Sequence, residues 1–424
     1  MITVAHLLED VFRFGGTGRK LLYLTRYSHG YQMRHVFFPM MPGELAPDIV
    51  AVGGDVRCLD STSPAIVFAR ALKGVRESGA QILFTHFTRS LICGLPIARL
   101  LGIPLVHLEH GPALTGPDDS LILRLKRYAR GMSLRAADLL VANSAYTAGT
   151  VQQVYSIPAT RLKYLYDPVM PRAEHTDREG EISLSSCSRE ALELKVAHVG
   201  GLIPVRSQIT LIEAAAILRR QNIPVRIYMV GDGTLRNQLE QQTRACGVSD
   251  IVHFLGYRDD VAAILYAAEV YANPTVAEGF GIAVVEAMLA GLPVVLARGG
   301  AHTELIVENE TGWFHEPGNA HDLAARLAWL WRHPHERSIV GQAGRADAQT
   351  RFAPERYARR IREIVDSTLN RHSKGTREPV ITGEDKSGRN GIAYAVSGGK
   401  SNEVRTPRKY QQHRDDGIEE CPAA

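Results

Sequence analysis

Two glutamates and two glycines in the segment EGFGIAVVEAM are the residues of this sequence best suited to bind a small anionic ligand. Glu278 and Glu286 are eight positions apart, and Gly279 and Gly281 flank Phe280. Glycines let backbone N–H groups approach a phosphate, and a helix N-terminus adds partial positive charge. If a helix begins after Gly281, its amides can hold a diphosphate. Glu286, in the second turn, can then accept hydrogen bonds from the two hydroxyls of a ribose.

Taken alone, this segment is equally compatible with a loop that leads into a capped helix whose glutamate faces solvent. Ligand binding is favoured by other glycine-rich or polar loops that follow predicted strands. These loops read FGGTGRK, EHGPALTG, VGGLIPVR, VGDG and LGYRDD. In open α/β sheets, ligands bind beyond the carboxyl ends of the strands, where such loops lead into helices. The loops together therefore predict a ligand site at that edge.

Two standard nucleotide-binding motifs are not matched. The segment FGGTGRKL has Leu21 where a P-loop requires Ser or Thr, and the segment GDGTLR has Arg236 where a dinucleotide fingerprint requires its third glycine. Neither a P-loop NTPase nor a standard NAD-binding domain is supported. An NAD-dependent enzyme is therefore the most distant of the alternatives.

The elements that must carry these loops form two series of short apolar runs separated by helix-length segments. The runs of the first series cover residues 2–8, 49–54, 81–86, 104–111 and 138–144. Those of the second series cover residues 194–202, 225–233, 251–257, 270–275 and 293–298. Continuous apolar strands between helices are typical of a parallel sheet covered on both faces. The pattern predicts an α/β protein with two doubly wound, Rossmann-like domains that face each other across a cleft.

Length and composition agree with two soluble domains. The 424 residues exceed the usual size of a single core, and the net charge of +4 is weak. The five cysteines are widely spaced and predict neither disulfides nor a zinc site, which fits the cytoplasm. The N-terminus lacks the basic region of a signal peptide, and no run of 18 apolar residues occurs.

We predict a first domain over 1–170, a linker over 171–193, a second domain over 194–351 and a disordered tail over 371–424.

The segment EGFGIAVVEAMLAGLPVV resembles the EX7E signature of family 4 retaining glycosyltransferases, which have the GT-B fold. The segments VGDGTLRNQLE, VHFLGYRDDV, GGAHTELI and TGWFHEPG are also similar to this family, although each is weak by itself. The resemblance extends over about residues 1–368 and is strongest over 194–318. It implies that the second domain binds a nucleotide diphosphate-sugar and that the first domain binds the acceptor of the sugar.

The resemblance also implies roles for individual residues. Glu286 would bind the ribose, whereas Glu278 and the amides that follow it would serve the sugar and the diphosphate. The residues implied in donor binding are Gly15, Gly16, Arg206, Tyr257, Arg258, Glu278, Gly279, Phe280, Gly281, Ile282 and Glu286. The residues implied in catalysis are His110, Arg206 and Glu278. For His110, the family's sugar-contacting histidine, the alternative is a histidine that merely caps the end of a strand.

One position departs from the family. Its members place an arginine and, a few residues later, a lysine where both stabilise the leaving diphosphate. Here the arginine position is Gly201 and the lysine position is Arg206, which can still present a bidentate cation to phosphate. The missing charge predicts either reduced activity or another cation in its place. The candidates for that cation are Arg19, Lys20 and Arg298.

The chemistry implied by the resemblance is sugar transfer with retention of configuration and without a divalent metal. No cofactor is expected, and no DxD pair occurs near the cleft loops. The leaving diphosphate oxygen would take the acceptor's proton, so no separate general base is needed. The expected acceptor is a glycan or a lipid-linked molecule in surface polysaccharide or glycolipid biosynthesis.

One predicted helix is a candidate contact for a partner, and another is expected to connect the two domains. Residues 121–136 carry five basic residues and no acidic residue, which fits a peripheral contact with anionic lipid on the inner face of the membrane, an acidic soluble acceptor or a solvated basic face. Nucleic acid is not expected, because aromatic residues are not interleaved with these charges.

The amphipathic segment 351–369 resembles the family's closing helix, which crosses back to the first domain over 352–369. Its packing residues would be Phe352, Tyr357, Ile361 and Ile364.

Two other functions remain open. The first is a GT-B enzyme of different chemistry, such as a nucleotide-sugar 2-epimerase, which would convert the donor without net transfer. The second is a non-catalytic binding partner, which Gly201 supports and which intact Glu278, Glu286 and Arg206 oppose.

Overall fold

The protein contains two parallel β-sheets, each covered by helices. The computed structural model describes residues 1–10, 16–113, 120–170 and 193–374. Most of the predicted linker, 171–193, and most of the predicted tail, 371–424, lie outside these residues. Residues 371–374 are described, and they continue the last helix instead of belonging to the tail. No helix within the described ranges is long and apolar enough to cross a membrane.

The first sheet is formed by the N-terminal part of the chain. Its strands are β1 (Ile2–Leu8), β2 (Met33–Pro39), β3 (Asp55–Val56), β4 (Ile82–His86), β5 (Leu105–Glu109), β6 (Leu139–Ala142) and β7 (Leu162–Tyr164). Its helices are α1 (Gly16–Ser28), α2 (Ala46–Ala51), α3 (Pro64–Ser78), α4 (Phe87–Leu101), α5 (Leu121–Ala136) and α6 (Ala145–Tyr155). The strand order is β3-β2-β1-β4-β5-β6-β7, and neighbouring strands pair in parallel.

The second sheet follows after the linker. Its strands are β8 (Leu194–Val199), β9 (Val225–Val230), β10 (Val252–Gly256), β11 (Val270–Asn273), β12 (Val294–Ala297) and β13 (Trp313–His315). Its helices are α7 (Ile209–Arg220), α8 (Arg236–Ala245), α9 (Val261–Ala267), α10 (Ile282–Leu289), α11 (His302–Leu305), α12 (Ala320–Arg332) and α13 (Pro334–Arg351), and the last helix, α14 (Pro354–Lys374), packs on the first sheet. The strand order is β10-β9-β8-β11-β12-β13, again with parallel pairs.

The central strands explain why the apolar runs are continuous. Every residue of β4, β5, β6, β11 and β12 is buried, because helices pack on both faces of each sheet. The order of the strands reverses beside β1 in the first sheet and beside β8 in the second. In such sheets the crevice beyond the strand ends at this point is where ligands bind. The prediction of two doubly wound parallel sheets is confirmed.

One predicted strand is wrong. Residues 49–54 form the end of α2 and the turn after it, and the strand at this place in the sheet is β2. The polar residues Arg34 and His35 interrupt the apolar pattern of β2. His35 is nevertheless buried, because the side chain of His6 on β1 hydrogen-bonds to it. A contact between two strands therefore explains why the polar residue His35 is buried in β2, which the local sequence did not reveal.

The last helix joins the two halves of the molecule. Phe352 packs beside Phe280 in the second domain, whereas Tyr357, Ile361 and Ile364 of α14 pack in the core of the first domain. The predicted packing of all four side chains agrees with this arrangement. The chain thus leaves the second domain at α13 and ends its described part against the first sheet.

Candidate active site

The start of α1, the residues that directly follow β5 and the segment after β11 come together between the two sheets. A Cβ atom built on Gly16, at the start of α1, would lie 2.2 Å from Cδ1 of Ile282 at the start of α10. One built on Gly279 would lie 3.1 Å from Cδ of Pro112, in the loop after β5. A larger residue at either position would require Ile282 or Pro112 to move, so the two domains approach each other closely here.

The EGFG segment turns the chain from β11 into α10. Gly281 is the N-cap residue of α10, with a φ of +96° that favours glycine, and no side chain caps the helix. The carbonyl oxygen of Gly279 accepts hydrogen bonds from Ser144 (2.6 Å) and Thr147 (3.1 Å) of the first domain. Phe280 is buried against Phe352, so its side chain is a packing element and only its backbone can serve a ligand.

Glu278 forms an ion pair with Arg206. Glu278 is 8% exposed and accepts a hydrogen bond from Nη1 of Arg206, which follows β8. The Nε atom of Arg206 is buried and has no hydrogen-bond partner among the described residues. A buried guanidinium N–H without a partner loses hydration without compensation. This N–H therefore has no compensating acceptor among the described residues.

Glu286 forms a second ion pair, which connects the two domains. Its Oε1 atom lies 2.7 Å from Nη1 of Arg19 in the first turn of α1. Glu286 is 6% exposed, and a buried carboxylate requires such a partner. Both carboxylates predicted to bind the donor are thus held by arginines in this structure.

His110 belongs to a chain of hydrogen-bonded side chains beneath the cleft. The chain consists of His35, His6, His86, His110, Lys20 and Asp167. Lys20 can only donate, so Nδ1 of His110 (3.2 Å) accepts, and Nε2 of His110 donates to Nδ1 of His86 (3.1 Å). Burial first, and then the charge of Lys20, hold the pKa of His110 well below its usual value. A direct contact between this ring and a sugar would have to replace one of its two partners.

The remaining predicted residues lie at different distances from this centre. Tyr257 is 67% exposed after β10, and Arg258 pairs with Asp260 at 2.7 Å. They follow an edge strand of the second sheet and do not contact the two glutamates through any described bond. Gly15 lies outside the described residues. Within the described ranges, no group of three or more His, Cys, Asp or Glu residues is arranged to hold a metal ion.

Two residues of the segment GGAHTELI were not identified from the sequence. His302 is fully buried, and its Nε2 atom has no hydrogen-bond partner among the described residues. Burial lowers its pKa, whereas the nearby charge of Glu278 raises it, which places the ring close to the site. Glu304 accepts hydrogen bonds from the backbone N–H groups of Ala145 (2.9 Å) and Tyr146 (2.6 Å) at the start of α6. The resemblance of this segment was the available signal, but it assigned no role to either residue.

Two family models match the two halves of the chain. Residues 14–171 match the model described as Glycosyltransferase Family 4, and residues 190–347 match the model described as Glycosyl transferases group 1. The first match begins after β1 and covers the other six strands of the first sheet, and the second match covers the second sheet with the EGFG segment.

Individual proteins agree with these matches. A D-inositol 3-phosphate glycosyltransferase of Arthrobacter sp. (strain FB24) is 26% identical over 313 residues, which cover 70% of this chain and 73% of the relative. The sulfoquinovosyl transferase SQD2 of Arabidopsis thaliana is 27% identical over 291 residues, which cover 63% and 54% of the two chains. Anabaena Alr3699/HepE, solved in complex with UDP-glucose, has a TM-score of 0.72 and 22% identity over 87% of this chain and 100% of its own. The structural likeness covers both sheets and identifies the fold as GT-B.

Proposed function

Because this chain is a glycosyltransferase of the GT-B fold, we propose that it transfers a sugar from a UDP-sugar to an acceptor with retention of configuration. The observation that carries the proposal is the convergence of Glu278, Arg206 and Glu286 on the uncapped N-terminus of α10. UDP is proposed because the similar HepE structure holds UDP-glucose. The spacing of the two glutamates fits the EX7E signature.

In this proposal each group has one task. The amides of Gly281 and Ile282 face the diphosphate, and Arg206 turns from Glu278 to the diphosphate oxygens. Glu286 accepts hydrogen bonds from the ribose hydroxyls, and Glu278 then accepts from the sugar hydroxyls. The bond between the anomeric carbon and the diphosphate oxygen breaks, and the acceptor oxygen bonds to the same face of that carbon. The departing oxygen takes the acceptor's proton, so the atoms balance without a metal ion or a separate base.

The test is a thermal-shift and calorimetric screen of the purified protein against UDP, GDP, ADP, CMP and dTDP, with and without magnesium. A ligand that binds only the folded state raises the melting temperature. We expect UDP to give the largest shift, with no need for magnesium, and Glu286→Gln to abolish most of it. A protein that is folded but binds none of these nucleotides would contradict the proposal and favour the non-catalytic alternative.

Product analysis then separates transfer from the epimerase alternative. With a bound UDP-sugar and an acceptor, transfer yields UDP and a new glycoside whose anomeric configuration matches that of the donor. Conversion of the donor into its 2-epimer, without a glycoside, would identify the epimerase instead. A glycoside of inverted configuration would contradict the retaining mechanism.

We also propose that α5 rests on an anionic membrane surface that carries a lipid-linked acceptor. Its apolar side chains are more than half exposed at Leu121, Ile122, Leu125, Tyr128 and Met132. Exposed apolar residues beside basic residues are typical of interfacial helices. Of the five basic residues, Arg130 pairs with Glu109 at 2.6 Å and Arg135 donates to the carbonyl of Tyr155, so both serve the fold. The proposed lipid contacts come from the exposed residues Arg124 and Lys126.

Vesicle co-sedimentation tests this surface. We expect binding to phosphatidylglycerol vesicles that falls with salt and is lost in the double variant Arg124→Glu, Lys126→Glu. The matched control is Lys73→Glu, Arg76→Glu on the exposed face of α3, in the same domain. Equal binding by both double variants and the unaltered protein would contradict a lipid-binding role for α5.

A further inference from the structure

The site has one cation fewer than its chemistry requires. The departing diphosphate gains negative charge, and Arg206 is the cation that the loop after β8 supplies, because position 201 is glycine. A preorganised donor at such a position typically contributes a factor of about 10²–10³ to turnover. A Cβ atom at Gly201 would contact only the carbonyl oxygen of Asp232, at 3.8 Å. There is therefore room for a side chain at position 201, and the positive charge that glycine lacks must come from another residue.

Two of the three candidate cations are held away from the diphosphate position. Lys20 is 3% exposed, lies 2.6 Å from Asp167 and donates to His110, so its charge is already compensated beneath the cleft. Arg298 pairs with Glu308 at 2.6 Å, and its guanidinium lies 4.4 Å from the ring centre of Phe314, on the β13 side of the second sheet. Neither side chain contacts the EGFG segment through a described bond.

Arg19 lies where the missing charge is needed. Its guanidinium bonds to Glu286, which is four residues after Ile282 and therefore about 6 Å along the helix axis from the first amides of α10. The helix that carries Arg19 begins at Gly16, where a built Cβ atom would lie 2.2 Å from Cδ1 of Ile282, so the starts of α1 and α10 are neighbours. The carboxylate that holds the guanidinium is thus about one helical turn from the proposed diphosphate position.

We propose that Arg19 is a catalytic residue that stabilises the departing diphosphate in place of the arginine that is absent at position 201. This inference rests on the proposed function. When the ribose hydroxyls take the oxygens of Glu286, the guanidinium turns to the diphosphate. Its five N–H donors and permanent charge suit phosphate oxygens. Since Arg19 belongs to the first domain, the cation reaches the diphosphate only when the domains close, which ties bond cleavage to the closed cleft.

The test compares Arg19→Ala, Arg19→Lys, Gly201→Arg and the double variant Arg19→Ala, Gly201→Arg. We expect Arg19→Ala to lower kcat by about 10- to 100-fold while changing the donor KM less than fivefold, because the charge acts mainly on the transition state. Arg19→Lys should retain part of the activity. Adding Gly201→Arg to Arg19→Ala should raise kcat about tenfold. The control is Arg360→Ala, which removes a surface ion pair with Glu363.

The outcomes separate this inference from the proposed function. An unaltered protein that binds UDP and forms a glycoside supports the function by itself. Turnover of Arg19→Ala within twofold of that protein would overturn the inference. A loss that Gly201→Arg does not reverse, in a double variant with unchanged melting temperature, would also overturn it and assign Arg19 to holding Glu286. An unaltered protein that binds no nucleotide would remove both.

Discussion

At the scale of single residues, the two glutamates of the site are defined by their arginine partners. Glu278 and Glu286 are each less than a tenth exposed, and an unpaired buried carboxylate is strongly unfavourable. Arg206 and Arg19 supply the compensating charges. In the proposed function, a donor replaces both pairs, with hydroxyls for the carboxylates and phosphate oxygens for the arginines. Binding is therefore an exchange of partners, in which few charges need to be newly buried.

We predict that Arg206→Ala lowers kcat by about 100-fold and the affinity for UDP by much less. The physical reason is that its charge is needed most when the diphosphate departs. Steady-state kinetics and calorimetric titration with UDP measure the two effects. Arg219→Ala, which removes an exposed pair with Asp250, is the control. Equal losses in kcat and in affinity would identify Arg206 as a binding residue only.

At the scale of elements, α6 is positioned by groups from both domains. Its N-cap Ser144 accepts from the N–H of Thr147 (3.0 Å) and donates to the carbonyl of Gly279. Glu304 of the second domain accepts from the N–H groups of Ala145 and Tyr146. Burial raises the pKa of Glu304, whereas these hydrogen bonds lower it. The first turn of α6 therefore docks directly on the EGFG segment and on α11.

We predict that Glu304→Ala loosens this docking. Two backbone N–H groups lose a charged acceptor, and loss of a helix cap costs about 0.5–2 kcal/mol. Small-angle scattering should show a larger radius of gyration than that of the unaltered protein, and UDP should reduce the difference. Asp250→Ala, which removes an exposed pair with Arg219, should leave the radius unchanged. An unchanged radius in Glu304→Ala would show that other contacts suffice to hold the domains together.

At the scale of the whole molecule, buried neutral histidines connect stability to pH. Burial lowers the pKa of His35 to about 3 and those of His198 and His315 to about 4. It also holds the pKa of His6 and His86 well below the usual value. The unfolded chain therefore binds more protons than the folded protein below about pH 6.5, so folding stability must fall as the pH is lowered.

We predict that the free energy of unfolding is nearly constant from pH 7 to 8 and falls steadily from pH 6.5 to 5. Each buried histidine contributes about 1 kcal/mol per pH unit in that window. Urea unfolding at half-unit steps of pH measures the slope. His35→Asn keeps an acceptor for His6 and removes one titrating group, so its profile should be shallower; His321→Gln, on the surface of α12, should not change it. A flat profile down to pH 5 would contradict the burial of neutral histidines.

Local patterns allowed much of this protein to be predicted from its sequence. Strand and helix periodicity and the glycine loops depend on neighbouring residues, so they identified the two parallel sheets, most of their strands and the EGFG turn before α10. The fold class and the glycosyltransferase class are confirmed. The roles of the individual site residues stay predictions. The strand β2 was missed because its buried His35 depends on a partner from another strand.

Only the tertiary structure decided which charges meet. Arg19 and Glu286 are 267 positions apart, and no local pattern can indicate that one helix carries its cation to the carboxylate of another. The same holds for the histidine chain, in which Lys20 determines which ring nitrogen of His110 carries the proton, and for α5, whose exposed and inward basic residues look alike in the sequence. The sequence by itself determined the two sheets and the segments that end in the cleft, because these depend on short-range periodicity and backbone freedom. The tertiary structure decided the pairing across the cleft, because charge and hydrogen-bond partners depend on distances in space.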